Sequence, residues 1–321
     1  MFIFSDIDNL ASSLVKKGLR FSTHRTYSSA QRFYIAFCQL YKLPVVPASE
    51  GTILRFIAYA YSKSLSPNTI QVYLSGVTSL HTLNGWPAPP TNSYRSKLAI
   101  KAIQDIGPTP VRSNPITYQL LCYIIQAMPD GPDQLLYRTM LLLGFYGALR
   151  GVEYCAVSVD GTIVAPYWYQ LQFVHSGTNL GMVYTIPKTK TTSQPVKVAI
   201  GCAQVPQCAV CTMVKYIHYQ HNHAGVHPNL FMFTHSNGRP VTKDTLNSVI
   251  KQAIATLGLP TKGYTTHSLR AGAATTASQA GLTDNQIKQL GHWSSNAFST
   301  YIQPSITHLF TIAHKLTKST I

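Results

Sequence analysis

The chain has 321 residues, enough for one large or two ordinary domains, and at 45% hydrophobic with 11% aromatic it can bury a sizeable core. Its 26 Lys and Arg stand against 10 Asp and Glu, a formal net charge of +16, which is the balance of a protein that meets a polyanion. The charged fraction is only 11%, so neutral Ser, Thr, Tyr and His side chains are also expected to contact phosphate. Six cysteines at 38, 122, 155, 202, 208 and 211, three of them inside apolar helix-like runs, speak for free thiols in a reducing compartment and against a disulfide scaffold. The first residues lack the basic segment of a signal peptide, and the longest uncharged apolar stretch, 139–149, is too short to span a bilayer. A soluble intracellular protein with no membrane partner is expected.

Residues 5–106 read as helices. Ile7, Leu10, Leu14 and Val15 recur at helical spacing, and Tyr27, Ala30, Tyr34, Phe37 and Tyr41 repeat the pattern. Ser49 caps a third helix carrying Ile53, Phe56 and Ile57. Ser66-Pro67 starts a fourth, which Asn84-Gly85 stops, and a fifth runs over 93–106. Between the apolar positions sit Arg25, Arg32, Lys63, Arg95, Lys97 and Lys101, candidate contacts to that polyanion. The prolines at 108, 110 and 115 forbid a continuous helix. The expected organisation is therefore a helical domain over 1–106, a linker over 107–115 and a second domain over 116–321.

The second domain reads as mixed. Helices are expected at 117–127 and 133–149, and strands at 157–159, 163–164, 170–174, 182–186 and 196–200. Helices return at 210–222, 242–257, 268–280 and 283–290, and a short one with an apolar stripe is expected over 305–316.

The chemistry-bearing residues lie in three separated motifs: Ala-Leu-Arg150-Gly-Val-Glu153, Thr-Thr-His267-Ser-Leu-Arg270, and Leu-Gly-His292-Trp293, with Tyr301 nine residues beyond His292. Phosphodiester transfer needs a nucleophile, a proton donor for the leaving oxygen, and cations around the charge that develops on phosphorus. Two arginines suit the last role, because each guanidinium is always charged and can grip two phosphate oxygens. Histidine supplies acid–base capacity near neutrality, and tyrosine can form a covalent phosphotyrosine that stores the bond energy. No paired carboxylates accompany these residues in the sequence, so a two-metal nuclease is not expected.

In this order the motifs resemble those of the tyrosine recombinases, the superfamily of phage integrases. His-Ser-Leu-Arg-Ala-Gly-Ala-Ala-Thr at 267–275 followed by Gln-Leu-Gly-His-Trp at 289–293 is most similar to the recombinases of eukaryotic Crypton-like and DIRS-like mobile elements. The resemblance covers 115–310 by motifs and 5–106 more weakly by helix count. It implies a mixed α+β, mainly α fold: an N-terminal helical bundle (a SAM-like core-binding domain) and an integrase-type catalytic domain with a small antiparallel sheet, together clamping duplex DNA. It implies that Arg150 and Arg270 hold the scissile phosphate, that His267 assists proton movement, that His292 hydrogen-bonds the phosphate, and that Tyr301 attacks. A lysine on the hairpin between the second and third strands would be the general acid, Lys190 or alternatively Lys188; Lys197 lies within the next strand. Glu153 and Trp293 would be supporting residues. No cofactor, metal or small-molecule substrate is implied. The expected product is site-specific recombination for integration or excision of a mobile element, by a homo-oligomer, a tetramer joined through the C-terminal helix. A eukaryotic host would place it in the nucleus, any other host in the cytoplasm or nucleoid.

Other readings of the same residues stand beside these. Arg150 fits a helix C-terminus, His267 the neighbour of an N-cap at Thr266, and Trp293 and the 305–316 stripe ordinary packing. Tyr154 and Tyr264 compete with Tyr301 as nucleophile. Cys208-Ala-Val-Cys211, with His218, His221 and His223 downstream, has zinc-ligand chemistry, and Cys202 lies nearby, but no second pair completes a four-ligand set of usual spacing. A type IB topoisomerase-like activity and a domesticated, non-catalytic DNA-binding protein are the functional alternatives.

Overall fold

The computed structural model describes residues 4–107, 113–128, 131–159, 161–177, 179–189, 192, 194–293 and 295–302. The chain divides into two compact units, Met1–Pro110 and Val111–Ile321.

The first unit consists of five helices among the described residues: α1 (Phe4–Gly18), α2 (Phe21–Leu40), α3 (Glu50–Ser62), α4 (Pro67–Leu83) and α5 (Tyr94–Ile106). Three begin where a serine oxygen accepts an orphan backbone N–H: Ser49 from Thr52, Ser66 from Thr69 and Ser93 from Ser96, at 3.1–3.2 Å. Tyr34, Phe37, Ile53, Phe56, Ile57, Ile70 and Val77 form the core, with Tyr34 edge-on to Phe56 at 5.1 Å. Gly76 lets α4 approach α2 closely, since a Cβ there would lie 2.6 Å from that of Ala30. The apolar stripe of α1 behaves differently from its periodicity. Ile7, Leu10, Leu14 and Val15 stay exposed, so amphipathic spacing on this helix does not signal burial inside the unit.

The second unit carries α6 (Tyr118–Ala127), α7 (Gln134–Tyr146), the one-turn α8 (Gly151–Tyr154), strands β1 (Val157–Val159) and β2 (Thr162–Val164), and then β3 (Leu171–Ser176), β4 (Asn179–Ile186) and β5 (Val196–Gly201). It continues with α9 (Ala209–His223), α10 (Lys243–Thr256), α11 (Thr266–Gln279) and α12 (Asp284–Gly291). β3, β4 and β5 form an antiparallel sheet in sequence order, with Met182 opposite Ile200 and Tyr184 opposite Val198. Met182, Tyr184 and Ile186 alternate along β4 and all are buried, so one face of the sheet meets the helical core.

The fold is thus mainly helical with small antiparallel sheets. No helix among the described residues is long and apolar enough to cross a membrane. The expected helix over 305–316 lies outside the described residues.

Two local differences from the sequence expectation set the backbone around Arg150 and His267. The helix expected to reach residue 149 stops at Tyr146. Ala148 then takes a left-handed backbone conformation (φ 44°), the Leu149 N–H returns to the Gly144 carbonyl, and Arg150 starts α8 instead of ending α7. The N-cap of α11 is Thr265, not Thr266: its hydroxyl accepts the N–H of His267. Thr266 is already helical, and Asn247 on α10 accepts its N–H at 2.7 Å.

Candidate active site

The arginine of the second motif organises the region. Arg270, on α11, is wholly buried. One terminal nitrogen donates to the carbonyl of Ala148, the other to the carbonyl of Gly291 at 2.6 Å. The guanidinium lies 4.0 Å over the Trp293 ring. Its first two partners are therefore neutral carbonyls contributed by the left-handed turn after α7 and by the end of α12. Nε has no partner among the described residues. Burial first, and then the neighbouring charge of Arg150, lower its pKa to about 10, while Glu153 and the hydrogen-bonded Tyr301 phenol act the other way. Arg270 thus stays charged throughout the physiological range.

Arg150 is held by Glu153. The buried carboxylate accepts the Arg150 backbone N–H on one oxygen and its Nη1 on the other, both at 2.8 Å. Gly151 lets this turn approach α11, because a Cβ there would come within 2.6 Å of the Thr266 hydroxyl. Two guanidiniums thus stand near one carboxylate, which leaves the cluster positive.

His292 ends α12 in the left-handed region (φ 52°). Gly291 before it is required for a different reason: a Cβ there would fall 1.9 Å from the Trp293 ring. The Nε2 of His292 is buried and without a partner among the described residues. Burial lowers its pKa, the arginines add to this, and Glu153 opposes it.

Tyr301 follows a short 3-10 turn over 296–300. The Thr275 hydroxyl donates to its carbonyl at 2.9 Å, which ties this segment to α11. Its ring meets His267 edge-on at 5.1 Å and Trp293 at 5.9 Å. Arg150, Glu153, His267, Arg270, His292, Trp293 and Tyr301 therefore converge, although they come from segments more than a hundred residues apart.

Lys188 is exposed just past β4, on a cavity of about 300 Å³ whose wall includes Glu153 and Val152. Lys190 lies outside the described residues. Of the rival tyrosines, Tyr154 is fully buried, its hydroxyl packed where a Gly144 side chain would be, so it cannot meet a macromolecular substrate without unfolding the site. Tyr264 is half-buried in the loop before α11.

In the first unit Arg25, Arg32, Lys63, Arg95, Lys97 and Lys101 are all exposed. Arg95 is partly engaged by Glu50 at 3.3 Å, and Lys63 lies over the Tyr59 ring. Lys97 and Lys101, one turn apart on α5, border a cavity of about 740 Å³ with Gln71, Ser75 and Gln104.

Sequence reasoning did not single out Ala148, Asn247, Thr275 or Gly291 as contributors. The Ala148 and Gly291 contributions are backbone carbonyls, which leave no side-chain signature.

No protein-family model matches the chain. It is similar to an integrase/recombinase xerD homolog of Selenomonas ruminantium, 22% identical over 302 residues, covering 91% of this chain and 84% of that protein. Among solved structures, the Tn1549 transposon integrase in complex with transposon right end DNA superposes with a TM-score of 0.63 at 13% identity, over 96% of this chain and 98% of that one. A lambda integrase tetramer bound to a Holliday junction gives 0.58 at 16% identity, over 94% and 77%. The fold is that of the integrases.

Proposed function

We propose that this chain is a site-specific tyrosine recombinase that cleaves and rejoins DNA through Tyr301. The observation that carries this reading is Arg270: a fully buried cation whose partners are neutral carbonyls, an aromatic face and the neutral Tyr301 phenol, beside a second arginine and a histidine with a free ring nitrogen. Buried charge is normally paired, and the chemistry that complements this cluster is an anion with several acceptor oxygens, such as a phosphodiester.

In this mechanism Arg150 and Arg270 hold the non-bridging oxygens of the phosphate and stabilise the charge that grows on them. His292 donates a hydrogen bond from the ring nitrogen that has no protein partner. The Tyr301 oxygen attacks phosphorus as the bond to the 5′ oxygen breaks, and His267, packed against the Tyr301 ring, assists removal of the phenol proton. Lys190, or alternatively Lys188, protonates the departing 5′ oxygen. The 3′-phosphotyrosine is resolved when a 5′ hydroxyl of the partner strand attacks it, so no external energy source is needed. Glu153 positions Arg150, and Trp293 supports Arg270.

The net charge of +16 and the exposed basic residues of the first unit serve as a sequence-independent grip on duplex DNA. The related integrases were solved on transposon-end DNA and as a tetramer on a Holliday junction. This supports a mobile-element role and a homo-oligomer on DNA; a nuclear location would follow only from a eukaryotic host.

The test is a nicked suicide duplex carrying the element's own terminal sequence, run on a denaturing gel. A covalent adduct with wild type, absent in Tyr301→Phe with DNA binding retained, is expected. Salt-sensitive binding with no adduct would sink the recombinase reading in favour of a non-catalytic binder. Relaxation of a plasmid lacking any such sequence would favour a topoisomerase.

A further inference from the structure

Three cysteines that the proposed reaction does not use come together where the sheet hands over to α9. Cys202 follows β5 directly, Cys208 is the N-cap of α9 and Cys211 lies one turn in. Their sulfurs all lie within 4.8 Å of one another, with Cys202 to Cys211 at 3.3 Å and Cys202 to Cys208 at 3.6 Å. Sulfurs bonded to one tetrahedral zinc at about 2.3 Å stand about 3.8 Å apart, close to what is found, whereas a disulfide needs about 2.05 Å.

The surroundings suit thiolates. The Cys208 sulfur accepts the backbone N–H of Cys211 at 3.5 Å and of Ala203 at 3.4 Å, and donors aimed at a sulfur favour its anionic form. Cys208 is buried, Cys202 half-buried and Cys211 exposed, so the cluster opens to solvent on one side. The histidines downstream are not part of it. His218 lies seven residues beyond Cys211 along the same helix, about 10 Å away, and among the described residues no histidine or carboxylate joins the three sulfurs.

We propose that Cys202, Cys208 and Cys211 bind one zinc ion, with a solvent molecule as the fourth ligand. This goes beyond the sequence expectation of no metal, which noted Cys202 near the Cys208–Cys211 pair but set zinc aside because no second pair completes a four-ligand set. The ion displaces the thiol protons and ties the end of β5 to the first turn of α9. None of its ligands is a residue of the proposed reaction, so it does not depend on the recombinase reading.

The test uses the full chain, reduced and then equilibrated with Zn²⁺ or Co²⁺ alone. The expected result is one ion per chain, a cobalt form with thiolate charge-transfer absorption, and slowed alkylation of Cys202, Cys208 and Cys211 that a chelator reverses. Cys211→Ser, at an exposed position that tolerates the change, should lose stoichiometric binding, while Cys122→Ser should keep it. Wild-type protein that retains no ion, with all three thiols alkylating equally fast with and without Zn²⁺, would overturn the proposal. So would retention of the ion by Cys211→Ser, or a Cys202–Cys211 disulfide forming at the same rate in the presence of Zn²⁺.

Discussion

His81 in the first unit and His292 in the second are both drawn away from water, and their surroundings differ in kind. His81 is fully buried, and both its ring nitrogens are used: Nε2 accepts the Ala48 N–H at 3.0 Å and Nδ1 donates to the Val77 carbonyl at 2.8 Å. It fixes the chain entering α3 against α4. His292 sits in a left-handed conformation with Nε2 buried and unpartnered. The contrast extends beyond the two rings. Among the described residues, the buried side-chain atoms without partners belong to Arg138, Tyr154, Gln207, Arg270 and His292, all in the second unit. An unsatisfied buried polar group costs about 1–3 kcal/mol. Two of these atoms, Arg270 Nε and His292 Nε2, belong to the arginine cluster, which is the arrangement of a site built for a ligand, whereas the first unit is organised for its own packing.

The largest effect that would break this contrast is at Arg270. Arg270→Lys keeps a charge but cannot serve both carbonyls and a phosphate oxygen. Single-turnover cleavage of the suicide duplex should fall by about 10²–10³-fold or more; near-normal cleavage would remove the basis of the proposed site. Glu153→Gln should cost about 1–3 kcal/mol by denaturant midpoint, because it weakens a two-point charge-assisted contact and leaves two guanidiniums uncompensated. His81→Leu should cost a similar amount, about 1–3 kcal/mol, through the orphaned Ala48 N–H, yet leave cleavage per folded molecule unchanged.

The second unit also responds to pH through His292. His292 has a folded pKa below its ordinary 6.5, so it binds a proton less readily folded than unfolded. The stability it contributes is complete above pH 6.5 and is lost as pH falls through the lower folded value. His292→Asn, which suits the left-handed backbone, should remove this acid-side component from a thermal melt followed against pH, and should lose cleavage as well. The smallest effects are expected in the first unit. Lys97→Ala and Lys101→Ala should each reduce the salt slope of DNA binding by about one, with cleavage at saturating protein unaffected; an unchanged slope would take α5 out of the DNA interface.

Much of this was legible in the sequence. Ser49, Ser66 and Ser93 mark helix starts by their own chemistry, and β4 shows its buried face through alternating Met182, Tyr184 and Ile186. The motifs at 150–153, 267–270 and 290–293 stand in the chain as written, but their convergence is tertiary. What holds Arg270 was not legible, because two of its partners are backbone carbonyls, one of them available only because Ala148 turns left-handed. The exposed stripe of α1 shows the opposite limit: helical periodicity reports an apolar face, not what covers it. The Cys202 sulfur likewise joins Cys208 and Cys211 by a loop whose path no spacing rule gives.

In the proposed reaction Tyr301 attacks a phosphate held by the Arg270 cluster. The most direct measurement is to digest the covalent protein–DNA adduct with protease and nuclease and locate the residual nucleotide mass by fragmentation. The mass is expected on Tyr301. A modification on Tyr264, or on any other residue, would contradict it.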